Sequence, residues 1–223
     1  MLPYNRISVE ACQSKYPKIS IITVCFNSEV TIRDTVQSVL SQDYDNIEYI
    51  VVDGASDDST MDIIREYQDE IDIIISENDN GIYDAMNKGI KLSSGDFVGI
   101  LNSDDVYAKS DIVSIIAENV SNNPNVDAVY GDLVYVARSN LDKVVRTYPS
   151  DGFRSWKMRF GFMLPHPTFY ARRELFDTLG FYYSDYRVAA DFELLSRFIS
   201  KGIQLRRVPE TFVKMRDGGI SST

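Results

Sequence analysis

The chain has few of the residues that build disulfide-linked or zinc-stapled proteins. It contains two cysteines and one histidine among 223 residues. Cys12 and Cys25 lie in no spacing typical of a disulfide framework or a zinc site. A protein with so few cysteines is expected in a reducing compartment such as the cytoplasm.

Long hydrophobic segments are also missing. No apolar run reaches ~18 residues, so the sequence predicts no membrane span. The N-terminus shows no basic region followed by an apolar stretch, so we expect no signal peptide. The basic and aromatic stretch 153–160, Phe-Arg-Ser-Trp-Lys-Met-Arg-Phe, leaves two interpretations open. It either lies on the inner face of a membrane as a peripheral contact or packs within the domain.

Positive charge is scarce as well. The chain has 23 basic and 33 acidic residues, which gives a net charge of −10 and a pI of about 4.6. This balance argues against non-specific binding to nucleic acid or to anionic lipid. It does not exclude a substrate that carries phosphate, because a local site or a metal ion can supply the positive charge.

The glycine motifs that bind phosphates are absent. The first apolar run is followed by Phe26-Asn27-Ser28, which is not the Gly-x-Gly-x-x-Gly turn of a dinucleotide-binding dehydrogenase. The chain also lacks a Gly-x-x-x-x-Gly-Lys-Ser/Thr loop and the Gly-x-Ser-x-Gly elbow of serine hydrolases. Any phosphate bound here is therefore expected to be held through a metal.

What the chain does have is a regular alternation of short apolar runs and helical patterns. Ser28 is predicted to cap a helix that ends near Ser41, with Val30 and Val36 among its inner residues. The runs predict buried strands. Predicted strands cover 18–25, 47–52, 71–76 and 97–101, and predicted helices cover 28–41, 61–67 and 81–92.

This alternation indicates an α/β fold with a doubly wound, mostly parallel central sheet flanked by helices. In such sheets ligands bind beyond the carboxyl ends of the strands. Asn27, Asp53 and the pair Asp104-Asp105 all follow predicted strands. We expect them to converge on one edge.

The rhythm changes after Asp105, where helices are predicted over 110–119 and 189–201 and strands over 126–136, 143–147 and 204–215. No repeat or linker is visible. We expect an N-terminal lead over 1–16 and a single domain over 17–223, with one half ending at residue 105 and the other covering 106–223.

The segment Asn102-Ser103-Asp104-Asp105 is the most informative short motif. Two adjacent carboxylates repel each other unless a cation or hydrogen-bond donors neutralise them. A divalent ion such as Mg²⁺ binds one or two carboxylates together with substrate phosphate oxygens. An ordinary turn, in which Asp and Asn bond to the local backbone, is the alternative interpretation.

Several motifs together resemble family 2 glycosyltransferases. The first four are Pro17–Asn27, Val51–Thr60, Asn80–Gly89 and Asn102–Asp105, and the later Pro165–Tyr170 and Ala190–Arg197 fit the acceptor half of that family. The variant Asp-Asn-Gly-Ile-Tyr-Asp-Ala-Met-Asn-Lys-Gly over 79–89 is similar to bacterial enzymes of surface-polysaccharide biosynthesis.

The resemblance implies a GT-A fold whose first half binds a nucleotide-sugar, with a UDP-sugar as the expected donor and Mn²⁺ or Mg²⁺ at Asp105. Asp104 would contact the ribose or a metal-bound water, and Asp53 the base or ribose. The resemblance places further nucleotide contacts at Thr23, Val24, Asn27 and Asn87.

The resemblance also implies inverting sugar transfer to a glycan or lipid-linked acceptor, with Asp191 as the base. On the acceptor side it points to His166, as a pocket residue, and to Glu193, which would orient the acceptor. Arg216 would close over the diphosphate as part of a lid.

Each of these roles has a structural alternative. Asp53 would otherwise cap the turn over 56–60, Asp191 would cap its helix, and His166 would be a structural loop residue. The chain also departs from the family pattern where Gly54 replaces a second acid, Met86 an arginine and Ala190 a glutamate. The missing second acid weakens the expectation of uracil recognition.

Two other classes of protein remain as alternatives. One is a non-catalytic module that binds a nucleotide-sugar or glycan on the same fold. A base at Asp191 argues against it, because a pure binder needs none. The other is a receiver-like signalling domain, whose acidic pocket also lies at strand ends. The length of the chain and its second half argue against that class.

Overall fold

A computed structural model describes residues 16–186 and 188–218. The strands are β1 (Ile19–Cys25), β2 (Ile47–Asp53), β3 (Ile73–Ser76), β4 (Phe97–Ile100), β5 (Val106–Tyr107), β6 (Ala128–Ala137), β7 (Asn140–Tyr148), β8 (Tyr170–Arg172) and β9 (Leu205–Arg216). The helices are α1 (Ile32–Leu40), α2 (Thr60–Arg65), α3 (Ile82–Leu92), α4 (Ile112–Ser121), α5 (Arg173–Leu179) and α6 (Ala190–Ser200), with 3₁₀ turns at Ser155–Phe160 and His166–Thr168.

The strands form one sheet in the order β3-β2-β1-β4-β8-β6-β9-β5, and β7 pairs with the later part of β6, beyond the residues that pair with β8. The first four strands are parallel to one another. Beyond β4 the sheet is mixed, since β8 runs antiparallel to both β4 and β6, while β6 and β9 are parallel. The predicted single α/β domain with the GT-A arrangement is confirmed.

Helices cover both faces of the parallel half, which is why its strands are nearly continuous apolar runs. Successive side chains of β1 point to opposite faces. Ile19 and Ile21 pack in one core with helices α1 and α4. Ile22 and Val24 pack in a second core with α3 and α6. The order of strands β3-β2-β1-β4 then brings their carboxyl ends to a common edge.

The approach of α3 to the sheet depends on Gly89. A Cβ atom at this position would lie 2.4 Å from Cγ2 of Ile22 in β1. Such a contact is too short for any side chain larger than hydrogen. The glycine at the end of the motif over 79–89 therefore has a packing role, and it fixes the helix whose first turn reaches the sheet edge.

The predicted elements agree with the observed ones, apart from details at their ends and one wrong helix start. Helix α1 begins at Ile32, and Thr31 is its N-cap. Ser28 does not cap it, because its hydroxyl bonds to Ser103 and to the carbonyl of Phe26. Val30, predicted to face inward, is 83% exposed because it lies in the turn before the helix.

Within residues 16–186 and 188–218, none of the helices is both long and apolar enough to cross a lipid bilayer. The longest helices, α3 and α6, have 11 residues each.

Candidate functional site

The loops that follow the parallel strands are bonded to each other at the carboxyl edge of the sheet. After β1, the side-chain oxygen of Asn27 accepts from the amide of Asp57, at 3.0 Å, in the loop after β2. The hydroxyl of Ser28 lies 2.8 Å from that of Ser103, in the loop after β4. The predicted convergence of polar motifs is therefore present in the structure.

Among the described residues, three with side chains adopt the left-handed backbone region, and each adjoins this edge. Asn27 has φ of 47° and Ala55 has φ of 62°, directly after β1 and β2. Ala189, with φ of 71°, precedes α6. This conformation is costly for alanine. The cost indicates that the surrounding contacts hold these turns in place for a reason other than local stability.

Asp53 ends β2 and is completely buried. One carboxylate oxygen accepts from the hydroxyl of Ser56 at 2.5 Å. The other accepts from the amide of Ser56 at 3.0 Å and from the hydroxyl of Ser76 at 2.7 Å. This geometry is that of the structural alternative, a carboxylate that ties two loops together. Contact with a base or ribose stays a prediction.

A different carboxylate fills the space beside Gly54. A Cβ atom built there would lie 2.6 Å from Oδ2 of Asp79, in the loop after β3. The chain thus carries no second acid on β2, but Asp79 brings a carboxylate to the same place from the neighbouring strand. Sequence reasoning missed this residue, because its proximity to Gly54 depends on the pairing of β2 with β3.

Asp104 and Asp105 differ in exposure. Asp105 is completely buried, whereas Asp104 is partly exposed. Burial and the neighbouring charge of Asp104 raise the pKa of Asp105 well above its usual range. Burial also raises the pKa of Asp104, although the guanidinium of Arg216 opposes the shift. Holding both groups ionised therefore requires added positive charge.

The oxygens of this motif fit a hard cation. Oδ2 of Asp105 accepts from the side-chain amide of Asn102 at 3.1 Å. Oδ1 of Asp105 and Oδ1 of Asn102 are buried, and neither has a hydrogen-bond partner within the described residues. In that same part of the chain, no three His, Cys, Asp or Glu side chains form a complete metal site. A Mg²⁺-type ion takes one or two protein carboxylates and completes its coordination with phosphate and water.

Arg216 ends β9 beside this motif and is only 5% exposed. Its guanidinium donates to the carbonyl of Asp104 at 2.8 Å and to that of Arg138 at 3.2 Å, and it forms an ion pair with Asp34. In this conformation Arg216 is a fixed support for the loop after β4. Closure over a diphosphate stays a prediction.

Asp191 lies in the first turn of α6 and is partly exposed. Oδ1 accepts from the amide of Phe192 at 2.8 Å and faces the hydroxyl of Tyr83 at 3.4 Å. Within the described residues, no donor pairs with Oδ2. Tyr83 belongs to the first turn of α3, which begins at the carboxyl edge of the sheet. The same edge therefore holds Asp191 and the acidic motif.

Aromatic side chains surround Asp191. His166 is buried and its Nε2 lies 2.6 Å from the hydroxyl of Tyr182. The ring of Tyr182 stacks on that of Tyr83, with centroids 5.7 Å apart. Burial lowers the pKa of His166, although the charge of Asp191 opposes the shift. The imidazole is thus neutral at pH 7. Burial raises the pKa of Tyr83, so its hydroxyl keeps its proton.

The sequence placed His166 and Asp191 on the acceptor side but missed Tyr83 and Tyr182. Tyr83 stands inside the motif over 79–89, so its position in the first turn of a helix was the available signal. Tyr182 lies in a loop with no motif.

Three other predicted side chains are engaged elsewhere. The amide of Asn87 donates to the carbonyl of Tyr182 at 2.8 Å and accepts from its N–H at 2.9 Å. Both oxygens of Glu193 pair with Arg197, at 2.8 and 2.9 Å. Thr23 is buried in β1, where its hydroxyl meets that of Tyr49 at 3.1 Å. Their contacts with substrate stay predictions, as do the backbone contacts of Thr23 and Val24.

A cleft of about 260 Å³ opens where α3 begins. Its walls come from the segment before and within the first turn of α3 and from the loop that precedes α6. The lining residues are Asn80, Gly81, Ile82, Tyr83, Ser184 and Tyr186. Tyr83 both lines this cleft and faces Asp191 through its hydroxyl, so space for a ligand lies near the carboxylate.

Comparison with known proteins identifies the family. The sequence profile described as Glycosyl transferase family 2 matches residues 20–190. The PGL/p-HBAD biosynthesis glycosyltransferase of Mycobacterium bovis BCG is 30% identical over 212 residues, which are 93% of this chain and 80% of that protein. The poly-β-1,6-N-acetyl-D-glucosamine synthase of Staphylococcus epidermidis is 33% identical over 133 residues, which are 58% of this chain and 32% of that protein. The chain belongs to glycosyltransferase family 2.

Solved structures agree on the fold. The UDP complex of S. aureus TarS, residues 1–349, superposes with a TM-score of 0.75 at 19% identity over 89% of this chain. The mannosyltransferase PcManGT of Pyrobaculum calidifontis, bound to GDP-Man and Mn²⁺, gives a TM-score of 0.68 at 18% identity over 93% of this chain. The chain spans 60% of the TarS chain and 59% of the PcManGT chain.

Proposed function

We propose that this chain is an inverting, metal-dependent glycosyltransferase. It transfers a sugar from a nucleoside diphosphate donor, a UDP-sugar in the first instance, to a glycan or lipid-linked acceptor. The observation that carries the proposal is the position of Asp191. Its carboxylate lies at the same sheet edge as the acidic motif Asn102–Asp105. Oδ1 accepts a hydrogen bond, whereas no donor within the described residues bonds to Oδ2. In this reading residues 17–105 are the nucleotide-sugar half and 106–223 the acceptor half.

The donor would lie along the loops after β1, β2 and β4. Asn27, Asp104 and Asp79 are the side chains at this edge that we assign to the nucleotide, with Asp53 fixing the loops beneath them. UDP is favoured by the UDP and UDP-GlcNAc complexes of TarS, which has the same fold. Asp79 places a carboxylate beside Gly54, at the position where β2 itself carries no second acid.

A divalent cation, Mn²⁺ or Mg²⁺, would be held by Asp105 together with the amide oxygen of Asn102, and Asp104 would contact the ribose or a metal-bound water beside it. PcManGT, which shares the fold, is solved with Mn²⁺. When bound, such an ion neutralises charge on the departing nucleoside diphosphate. The residues of the chain position it. The buried Asp105 supplies an oxygen that has no hydrogen-bond partner in the described part of the chain, and Arg216 fixes the loop through the carbonyl of Asp104.

The acceptor would enter beside Asp191. In inverting transfer a base takes the proton of the acceptor hydroxyl as its oxygen attacks the face opposite the leaving group. Oδ2 of Asp191 is assigned this task, because Oδ1 is occupied by Phe192 and faces Tyr83. His166 contacts Tyr182, and we assign it to hold that ring against Tyr83. Glu193 pairs with Arg197, and its assigned role in orienting the acceptor is exerted through this arginine. A cytoplasmic location, peripheral to the inner membrane face, suits a lipid-linked acceptor.

The test is isothermal titration of the chain with UDP, GDP, CDP and dTDP, each with and without Mn²⁺. We expect one nucleotide to bind, and only with metal. The sugar is then identified by incubating the chain with different sugar donors of that nucleotide and measuring which donor releases it. Binding of no nucleotide under any condition would overturn the donor assignment. Metal-dependent binding with no turnover on any donor and acceptor would favour a non-catalytic module.

A further inference from the structure

The 3₁₀ turn Ser155–Phe160 and the residues after it carry large aromatic side chains into solvent. Trp156 is 60% exposed, Phe160 72% and Phe162 60%. The rings of Trp156 and Phe160 touch edge to face, with centroids 6.0 Å apart. A single exposed apolar residue is ordinary, but a group of aromatics on one short segment indicates a contact surface.

The turn is held in this orientation from below. Met158 is buried in the core that also contains residues of α6. A 3₁₀ helix repeats every three residues, so side chains three apart lie in one row. With Met158 facing inward, the two remaining rows combine Trp156 with Arg159 and Lys157 with Phe160. Each outward row therefore has one aromatic and one cation.

The charge of this surface is opposite to that of the whole chain. Arg154, Lys157 and Arg159 lie here, and no acidic residue occurs between Asp151 and Glu174, although the chain has 33 acids. Charges further away than about 8–10 Å are largely screened at physiological salt. The net charge of −10 therefore does not cancel the local positive potential.

We propose that this aromatic and basic patch, formed by Arg154, Trp156, Arg159, Phe160 and Phe162, docks on an anionic lipid bilayer. Trp and Phe insert favourably at the boundary between headgroups and acyl chains, and nearby Lys and Arg are attracted to anionic lipid. A purely apolar protein partner would leave Arg154 and Arg159 without an anionic complement. A bilayer with anionic headgroups satisfies both components of the patch at once.

The patch leads directly to the candidate site. Residues 161–165 connect it to the 3₁₀ turn that begins with His166, and the carbonyl of Met163 accepts from the hydroxyl of Tyr148 at 3.0 Å. Docking would thus bring the acceptor side of the site to the lipid surface. The idea that docking serves a lipid-linked acceptor rests on the proposed function, whereas the docking itself does not.

Trp156 is the only tryptophan in the chain, so its fluorescence reports on the patch alone. The experiment titrates the full chain, without nucleotide, with vesicles of phosphatidylcholine or of phosphatidylcholine mixed with phosphatidylglycerol. We expect a blue shift of the emission and protection from acrylamide with the mixed vesicles, both reduced at high salt. Equal binding to neutral vesicles, or no blue shift with either, overturns the proposal.

Two variants keep Trp156 and change one component each. Arg154→Glu with Arg159→Glu should weaken binding to mixed vesicles by about thirtyfold or more, since each cation near an anionic surface contributes roughly a fivefold factor. Phe160→Ser with Phe162→Ser should abolish the blue shift. Undiminished binding by either pair contradicts the docking surface.

The matched controls lie on other surfaces. Val144→Ser with Val145→Ser removes side chains that are 52% and 54% exposed on β7. Arg65→Glu with Lys143→Glu reverses two exposed charges. Both should bind vesicles as the parent chain does. If single-stranded RNA, and not vesicles, shifts the emission, the patch is a nucleic-acid site and the proposal fails. Vesicle binding by a chain that binds none of the four nucleoside diphosphates would overturn the proposed function alone.

Discussion

The hydroxyl of Tyr83 lies 3.4 Å from Oδ1 of Asp191, although 108 residues separate the two in the chain. This contact joins the first turn of α3 to the first turn of α6, and so joins the parallel half of the sheet to the half that follows β4. It places a carboxylate from the second half at the edge where the loops of the first half meet. The candidate site is therefore assembled by this contact as much as by either motif.

The first prediction concerns Asp191 as the base. Asp191→Asn keeps the shape of the side chain but removes the proton acceptor, so transfer should fall by about 10²–10⁴-fold. Nucleotide affinity, measured by titration with Mn²⁺, should change less than twofold. Asp177→Asn, an exposed carboxylate on α5, is the control and should transfer normally. Wild-type turnover by Asp191→Asn would refute the assignment.

The second prediction separates Tyr83 from Asp191. Tyr83→Phe removes a hydroxyl that faces Oδ1 but keeps the ring stacked on Tyr182, so the cleft stays intact. We expect kcat to fall by about tenfold, with KM for the donor unchanged. A rise in KM without loss of kcat would show instead that Tyr83 binds substrate through its ring. Tyr186→Phe changes another residue that lines the same cleft and serves as the comparison.

The third prediction concerns the buried carboxylate of Asp105. Burial and the neighbouring charge of Asp104 disfavour its ionised form, so Asp105→Asn, which removes that charge, should raise the free energy of unfolding of the metal-free chain by about 1–3 kcal/mol. The same change should abolish both the Mn²⁺-dependent rise in Tm and metal-dependent nucleotide binding. If the variant is stabilised by Mn²⁺ as much as the parent chain, the ion binds elsewhere.

The sequence predicted the order and type of the elements of the parallel half, because buried strands and amphipathic helices leave strong periodic signals. It also placed Asn27, Asp53 and Asp104 at one edge, since the carboxyl ends of parallel strands meet there, whereas Asp191 came only from the resemblance to the family. It could not predict the start of α1, because a serine before a helix is an ordinary cap. Here the hydroxyl of Ser28 forms a hydrogen bond with that of Ser103, which lies 75 residues away in the chain.

The same limit applies to the roles of individual side chains. Asp53 satisfies its oxygens with Ser56 and Ser76, and the latter comes from a different strand. Asp79 reaches Gly54 only because β2 and β3 are neighbours. Contacts between strands depend on register, and register is a property of the folded sheet. A motif therefore identifies the edge of the sheet more reliably than it identifies the atoms that face the ligand.

The fourth prediction tests what Asn87 does. Asn87→Ala leaves the buried N–H and carbonyl of Tyr182 without partners, so the free energy of unfolding should fall by about 2–4 kcal/mol. Because Tyr182 stacks on Tyr83, turnover should fall as well, while nucleotide affinity stays near that of the parent chain. Asn119→Ala on α4 is the matched control, with a loss below about 1 kcal/mol. A large loss of nucleotide affinity, with stability unchanged, would favour direct contact of Asn87 with the donor.

The fifth prediction concerns acid stability and rests on Glu48, which is 5% exposed in β2. Burial alone would raise the pKa of Glu48. Hydrogen bonds from Ser20, Ser94 and Lys18 outweigh it and lower the pKa to about 2. A pKa lowered by folding contributes stability above the unfolded value of about 4.3, and this contribution disappears as the pH falls toward 2.

Glu48→Gln keeps the size of the side chain but loses the charge-assisted bonds to Lys18 and to the two serines. At pH 7 the free energy of unfolding should fall by about 1–3 kcal/mol, because bonds to a charged group are the stronger ones. Urea denaturation at pH 7, 4.5 and 3 measures the difference between variant and parent, which should shrink as the pH falls. The exposed Glu70→Gln should differ little from the parent at any pH. A difference for Glu48→Gln that stays constant from pH 7 to pH 3 would mean that shape, and not charge, makes this contact stabilising.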